Sequence, residues 1–295
     1  MKALIFTLLT ALVLCMFASC NTEPKEPEPT VLDESIKKST LPKKYGDMLR
    51  AMAQNPNDHK KNGLYTSQVA KYYMEAGVPD KAREILKRGI INYRSSGNTP
   101  SNIILLLDVL KNDPLKKQDY INFAQSLQKG SDLPGLDKYT ADIPKDEPTM
   151  EAKIADIQSK LTDSSTGRLD LIKVNKFVDA IEYYVMANPY NAESPKYLKI
   201  AAEVVNSIKV YPRAIQFYDW ILNSFPDSNE APQALFMKGF TLDDGMNNKQ
   251  AAKPVYEEFL KKYPKNDFAD DTKFLLENIN KSDEEIIKEF DNKKK

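Results

Sequence analysis

Few residues in this chain have the chemistry that catalysis usually requires. The single histidine, His59, lies in a polar, turn-rich stretch at 54–63, and the two cysteines, Cys15 and Cys20, both lie near the start of the chain. A catalytic triad, a cysteine–histidine pair or a typical zinc site therefore has too few parts here. We expect His59 to be solvated, and we expect neither a metal site nor a cofactor.

Neighbouring carboxylates are the other candidates for chemistry, because a glycoside hydrolase uses two acids that converge in a cleft. Asp243 and Asp244 form one local cluster, and the acids of residues 130–149 form a second. Both clusters lie in sequences typical of loops, where adjacent acids are usually solvated. The chain is therefore predicted not to be an enzyme, with a carboxylate-based hydrolase kept as a minor alternative.

The residues that precede Cys20 indicate that its thiol is modified covalently and does not act in catalysis. The chain starts with one positive charge at 1–2, and residues 3–17 carry no charge. That run is shorter than the roughly 20 apolar residues that span a bilayer, and it has the length and flanks of a signal-peptide core. Residues 17–20 (FASC) resemble the bacterial lipobox, although leucine usually stands where this chain has phenylalanine. The resemblance implies cleavage before Cys20 and a diacylglycerol on its thiol.

The stretch that follows Cys20 supports a membrane anchor. Residues 21–30 (NTEPKEPEPT) alternate proline with charge, so they bury nothing and form a semi-stiff spacer. We predict a signal peptide over 1–19 and a disordered, acidic, proline-rich tether over 20–40. Two fatty acyl chains, such as palmitate, would hold the protein firmly at the membrane. The alternative is that Cys20 is an incidental cysteine left by ordinary signal cleavage.

The residue after the cysteine bears on the destination of the protein. Asn21 is not the aspartate that retains lipoproteins at the inner membrane, which favours the outer membrane. The glutamates of the tether faintly resemble the acidic surface-export signal of Bacteroidota-type lipoproteins, and a solvated acidic tether is the plainer interpretation. We predict an outer-membrane lipoprotein that faces either the periplasm or the cell surface.

Composition limits the kinds of partner and fold. Lys and Arg total 42, and Asp and Glu total 42, so no strong basic excess is available to bind nucleic acid. Glycine is scarce at 10 residues, which favours helices over sheets. Once Cys15 is removed and Cys20 acylated, no thiol would remain to form a disulfide, so packing alone would have to hold the fold.

A sequence repeat in the last third of the chain indicates which elements would position a binding site. Segments 211–228 (YPRAIQFYDWILNSFPDS) and 249–266 (KQAAKPVYEEFLKKYPKN) match at an offset of 38 residues, and a weaker copy lies at 177–189 (FVDAIEYYVMANP). Each segment has apolar residues at i, i+4 and i+7, the stripe of an amphipathic helix. A small residue opens the stripe, an aromatic residue follows one turn later, and an aromatic–proline pair ends the helix.

This pattern resembles the tetratricopeptide repeat, a helix–turn–helix unit of about 34 residues. In that family, the small residues of the two helices are twelve positions apart. The resemblance implies an all-α, right-handed solenoid of antiparallel helix pairs. The 37–38 spacing also resembles two envelope families, the repeat lipoprotein of the β-barrel assembly machine and the cell-division coordinator of the Tol–Pal system. Pairs of small residues with the family spacing are Ala70 with Ala82 and Ala202 with Ala214.

One repeat departs from the family spacing. Gly239 and Ala252 are thirteen positions apart, which predicts one extra residue in the turn at 242–249. Three prolines and two glycines at 130–149 suggest a boundary between two helical parts. The predicted domains are an N-terminal repeat-like unit over 41–130, a linker over 131–149, C-terminal repeats with a capping helix over 150–280, and a polar tail over 281–295.

A partner would bind on the concave side of such a solenoid, which the first helix of each pair lines. The helix at 231–242 is apolar nearly all round, so it either exposes an apolar strip or is buried on both faces. The lysines of the fourth pair could hold acidic peptide ends or could simply be solvated. Residues predicted to face inward are Lys71, Met74, Lys196, Lys199, Glu203, Asn206, Phe236 and Phe240.

Anchor and repeats together indicate a binding protein of the cell envelope. We expect a lipid-anchored scaffold that binds an envelope protein or peptide through its helix pairs, and that binds neither nucleic acid nor metal. A surface lipoprotein that captures glycans or nutrients is the first alternative, which aromatic side chains along an open groove would favour. The hydrolase is the second.

Overall fold

The described part of the chain is entirely helical in a computed structural model. Thirteen α-helices, one 3₁₀ turn and one π-helical segment account for its regular structure, and it contains no β-strand. The prediction of an all-α fold is confirmed. The signal peptide at 1–19, Cys20 and the tether to residue 40 lie outside the described residues. Those residues are 41–128, 133–141, 143–282, 284–285 and 287–288.

The helices follow one another along a single compact unit that starts at Pro42. They are α1 Lys43–Gln54, α2 His59–Glu75, α3 Pro79–Asn92, α4 Thr99–Lys111, α5 Lys117–Gln128, α6 Asp137–Thr140, α7 Met150–Ser159, α8 Leu171–Ala187, α9 Ser194–Ser207, α10 Tyr211–Ser224, α11 Ala231–Phe240, α12 Lys249–Lys262 and α13 Ala269–Asn278, with the 3₁₀ turn at Pro114–Lys116 and the π segment at Thr241–Gly245.

Helix pairs form where the small-residue pattern predicts them. Helix α2 packs on α3, α9 on α10, and α11 on α12, and each second helix packs in turn on the next first helix. The alanines at the predicted crossings are fully buried, because a small side chain lets the two backbones approach closely. These alanines are Ala70, Ala82, Ala202, Ala214 and Ala252.

Two of the pairs turn from first to second helix by the same backbone device. Gly77 (φ 71°) ends α2, and Lys209 (φ 63°) stands in the same left-handed conformation after α9. The amide of the next residue then donates five positions back, from Val78 to Tyr73 O at 2.8 Å and from Val210 to Val205 O at 2.9 Å. This is the Schellman arrangement, which satisfies carbonyls at the end of a helix.

The turn of the fifth pair contains the extra residue that the spacing predicts. Helix α11 continues into the π-helical segment Thr241–Gly245, which accommodates one more residue per turn than an α-helix. Gly239 then lies against α12, where a Cβ atom would come within 2.7 Å of the Tyr256 ring. Glycine is therefore required at this crossing.

Helix α8 lies at the centre of the unit. All its residues from Phe177 to Ala187 are buried except Asp179, and it packs against α5, α7 and α9. A helix that is apolar nearly all round is stable only when it is surrounded in this way.

The segment predicted as a linker, 131–149, is packed against its neighbours where it is described. It contains the short helix α6, and Tyr139 within it is only 2% exposed. The Tyr139 hydroxyl donates to Asp108 Oδ1 at 2.7 Å, and the Tyr120 hydroxyl donates to the Tyr139 carbonyl at 2.6 Å. These contacts tie the segment to α4 and α5.

Charged side chains join the N-terminal helices to the C-terminal repeats through α8. Lys87 of α3 lies 3.1 Å from Asp179 Oδ1 and also contacts the Glu182 carboxylate. Arg213 of α10 lies 3.4 Å from Asp179 Oδ1 and 3.0 Å from Glu182 Oε1. Two cations from different repeats thus share two carboxylates on the central helix, which compensates their burial.

Candidate partner-binding face

The first helices of the fourth and fifth pairs, α9 and α11, are bridged by a row of polar side chains. Lys199 Nζ donates to Gln233 Oε1 at 3.3 Å, and Gln233 Nε2 donates to Glu203 Oε1 at 3.4 Å. Further along, Thr241 Oγ1 donates to Asn206 Oδ1 at 3.4 Å. All these bonds are long, so a ligand could replace those of Gln233 at small cost, whereas Thr241 is only 1% exposed and supports Asn206 from the core. We call these five residues the α9–α11 face.

Three of the predicted site residues therefore lie together. Lys199, Glu203 and Asn206 recur at three- and four-residue spacing, which places them on one side of α9. Sequence reasoning missed Gln233 and Thr241, their partners on α11. The same repeat register could have found them, since Gln233 lies 34 residues after Lys199 and Thr241 lies 35 after Asn206.

A buried hydroxyl approaches this face from α10 below. Tyr218 is fully buried, and its hydroxyl makes no well-formed hydrogen bond, although the Thr241 hydroxyl lies close enough to lower its pKa. Burial, and then the nearby Glu203 carboxylate, raise the pKa of Tyr218, while the Thr241 hydroxyl acts in the opposite direction. Glu203 and Thr241 both belong to the α9–α11 face, so the unpaired hydroxyl points toward it. Buried polar groups are nearly always paired, so this hydroxyl can act on the face only through the neighbours that cover it, of which Thr241 is one.

The aromatic part of the predicted groove is mostly core. Phe236 is only 9% exposed, because the ring of Phe268 stacks on it at 4.5 Å and the ring of Phe259 meets it edge-on at 6.0 Å. The prediction that Phe236 lines a groove is therefore wrong, and the alternative of burial on both faces holds for it. Phe240, whose ring centroid is 6.3 Å from that of Phe236, stays partly exposed at the border of the polar row.

The other predicted groove residues are not gathered into this row. Lys196 is exposed one turn before Lys199 and forms an ion pair with Glu193 at 3.3 Å. Lys71 is exposed and Met74 is half-buried, and both lie on α2 in the first pair. Both lie on the first helix of a pair, as predicted, but they are not part of the polar row on α9 and α11.

The histidine differs from expectation. His59 Nδ1 lies 2.7 Å from Ser95 Oγ, and its ring meets the ring of Tyr93 edge-on at 5.9 Å. It therefore pins the start of α2 to the turn between α3 and α4 and is not simply solvated.

The two acids of the Asp243–Asp244 cluster have different surroundings. Asp243 accepts from the Tyr256 hydroxyl at 3.3 Å, and burial raises its pKa, while the adjacent Asp244 is exposed. A cleft of about 540 Å³ between α1 and α2 has a single acid, Asp58, in its lining. In the described part of the chain, no group of three or more histidines, cysteines or acids is placed to hold a metal ion.

None of the described helices is both long and apolar enough to cross a bilayer.

Comparison with known families agrees with this architecture. The model of the tetratricopeptide repeat matches residues 233–266, which include most of α11 and all of α12. None of the curated proteins matches the sequence. The chain thus contains a tetratricopeptide repeat. Its first helix, α11, is also the second of the two helices that form the candidate face.

Proposed function

We propose that this protein is a lipid-anchored scaffold of the cell envelope that binds a protein or peptide partner on the α9–α11 face. The observation that carries the proposal is the polar row itself, beside a tetratricopeptide repeat and above an unpaired buried hydroxyl. Tetratricopeptide repeats generally serve as surfaces for protein–protein contact, and their stacked first helices form extended binding surfaces.

The chemistry of the row suits an extended peptide. Gln233 and Asn206 each carry an amide with both donors and an acceptor, so each can replace its long internal bond with bonds to a peptide backbone. Lys199 and Glu203 add one charge of each sign, which would select the charge pattern of the partner more than raise affinity. Phe240 offers an apolar contact at the edge of the row.

The decisive experiment compares two variants in a crosslinked pull-down from native membranes. Asn206→Ala with Gln233→Ala removes both amides from the face, and Asn223→Ala removes an amide from the exposed side of α10. We expect the same envelope protein to be recovered with the wild type and with Asn223→Ala, and to be lost with the double variant. Equal recovery with all three proteins would contradict the proposed face.

The proposed anchor is tested separately. Cys20→Ser removes the thiol that would carry the lipid. We expect the wild type to incorporate labelled palmitate and to fractionate with outer membranes, and the variant to do neither. Whether the protein faces the periplasm or the outside is then read from protease digestion of intact cells. Incorporation of label by the variant would exclude Cys20 as the acylated residue.

The alternative functions have less support. A glycan-capturing lipoprotein would need aromatic side chains along an open groove, whereas Phe236 is buried and only Phe240 remains at the border. A hydrolase would need two acids facing across a cleft. The α9–α11 face has one acid, Glu203, which already accepts from Gln233.

A further inference from the structure

Three second helices, α3, α5 and α8, run parallel and start at the same end of the unit. Lys87 of α3 and Arg94, two residues after its end, are seven positions apart, and they meet Asp179 and Met186 of α8, also seven apart in the same order. Helix α5 also runs in the same direction as α8. Asp119 lies near Asp179, and four residues further along each helix the ring of Phe123 is 5.4 Å from that of Tyr183. The three helices therefore begin within about two turns of one another along their axes.

Exposed aliphatic side chains are concentrated at this shared end. Val78 precedes α3 and is 37% exposed, Leu115 precedes α5 and is 93% exposed, and Leu171 and Ile172 begin α8 at 59% and 70%. These are four of the nine large apolar side chains that are exposed in the described chain. Such a concentration marks an interaction surface, whereas scattered single residues would not. We call these four residues the aliphatic end.

Exposed lysines lie near the aliphatic end. Lys81, Lys117 and Lys176 lie in the first two turns of α3, α5 and α8, are exposed, and have no carboxylate partner among the described residues. The ammonium of Lys81 lies 5.5 Å from the centroid of the Tyr73 ring. Acids are also present. Glu84 of α3 is exposed, and the others keep their charge but have local partners. Asp113 accepts from the Leu115 amide and Asp170 from the Ile172 amide, and Asp80 and Asp119 form ion pairs with Arg83 and Lys116.

We propose that the aliphatic end docks on a bilayer surface that contains anionic lipids. Its side chains would enter the boundary between headgroups and acyl chains, while the three lysines would pair with headgroup phosphates. Their position favours a lipid surface over a protein, because the four exposed side chains lie at or just before the starts of three helices that share one end of the unit. This docking is a function additional to partner binding and uses no residue of the α9–α11 face.

Orientation is the consequence of such docking. An acyl anchor on a tether would hold the protein near the membrane without fixing which side faces it. Contact at the aliphatic end would set the axes of α3, α5 and α8 steeply to the bilayer. The proposed anchor increases the local concentration of protein at the membrane, but the docking chemistry does not depend on it, so the two are separable.

Vesicle sedimentation with unacylated protein tests the docking alone. The full mature chain carrying Cys20→Ser is mixed with phosphatidylcholine vesicles that contain or lack phosphatidylglycerol. Leu115→Ser with Ile172→Ser is the test variant. Tyr190→Ser is its matched control, because Tyr190 is 92% exposed and follows the opposite, carboxyl end of α8. Thermal unfolding of all three proteins checks that the substitutions leave the fold intact.

We expect binding to the anionic vesicles, weakening as salt is added, and little binding to neutral ones. The double variant should bind at least about tenfold more weakly, since two aliphatic side chains no longer enter the interface, and Tyr190→Ser should bind like the parent protein. No binding to anionic vesicles, or equal weakening by Tyr190→Ser, would overturn the proposal. So would a double variant that binds normally to vesicles but loses a protein partner in the pull-down, because the end would then be a protein interface.

Discussion

Lys87 Nζ lies 3.1 Å from Asp179 Oδ1, and the two residues are 92 positions apart in the chain. The contact joins the second helix of the first pair to the central helix of the unit. Lys87 is only 7% exposed at its side chain and Asp179 only 21%, so water screens this pair weakly. Charged groups therefore contribute to the attachment of the N-terminal helices to the C-terminal repeats, beside the packing of α5 on α8.

Removing the lysine should destabilise the whole unit. Lys87→Met keeps the length of the side chain but leaves Asp179 and Glu182 with Arg213 as their remaining cation. We expect a loss of about 3 kcal/mol in the free energy of unfolding, because an uncompensated carboxylate would stay buried. Urea unfolding measures this. The control is Lys196→Met, which breaks an exposed pair with Glu193 and should change stability by less than about 0.5 kcal/mol.

The same cluster should make stability depend on pH. Burial would raise the pKa of Asp179, but Lys87 and Arg213 outweigh it and hold the pKa below the ordinary 3.8. The group is thus protonated more readily in the unfolded chain. Its contribution is complete above pH 3.8 and is lost as the pH falls toward the lower pKa of the folded protein.

Asp179→Asn should remove that part of the acid dependence. We expect its unfolding free energy to fall less steeply than that of the wild type as the pH decreases below about 4. Stability is measured by urea titration at a series of pH values. Identical acid slopes for the two proteins would show that Asp179 is not held in its charged form by the cluster.

Sequence reasoning succeeded where a contact repeats along the chain. Ala202 and Ala214 are buried at a helix crossing, and the thirteen-residue step from Gly239 to Ala252 is accommodated by a π-helical segment. Periodicity reports which residues face a neighbouring helix, and the neighbour in a repeat is always the next element.

It failed where a contact joins distant elements or depends on what covers a side chain. Nothing periodic marks Lys87 as the partner of Asp179. Phe236 has the pattern of a groove residue, but Phe268 at the start of the next helix stacks over it. The partners of Lys199 and Glu203 on the candidate face were missed for a different reason. Gln233 follows the repeat register, but its polar character carries no signal by itself.

The glycine at the fifth crossing offers a test of packing. Gly239→Ala would place a methyl group 2.7 Å from the Tyr256 ring, which is fully buried and cannot move freely. We expect a loss of about 2 kcal/mol, in the usual range for an overpacked core. Gly97→Ala is the control, since no atom lies within 4 Å of the added carbon. A lower melting temperature for Gly239→Ala alone would verify the close approach.

A substitution in the fourth pair should increase stability. Lys209 has φ 63°, a conformation in which side chains are strained, and its counterpart in the first pair is Gly77. The strain costs about 1–2 kcal/mol, and glycine also gives the unfolded chain more freedom, so Lys209→Gly should stabilise by about 0.5 kcal/mol net. Ser207→Gly, two residues earlier within α9, should instead destabilise by about the same amount. Chemical unfolding curves distinguish the two signs.

Substitution of Tyr218 distinguishes a structural role of its buried hydroxyl from a role in binding. If packing alone explains the residue, Tyr218→Phe removes a buried group without a partner and should leave both stability and binding unharmed. If the hydroxyl positions Thr241 beneath a bound ligand, the variant should be equally stable or up to about 1 kcal/mol more stable, yet should bind the partner more weakly, by up to about tenfold if one hydrogen bond of about 1.4 kcal/mol is lost. Melting temperature and partner affinity are measured on the same preparation. Tyr256→Phe is the matched control, because the Tyr256 hydroxyl is already bonded to Asp243, which is not part of the α9–α11 face. Its loss should lower stability and leave partner affinity unchanged. A stabilised Tyr218→Phe with weakened binding would place the ligand directly over Glu203 and Thr241, whereas unchanged binding would move the proposed contact away from that part of the face.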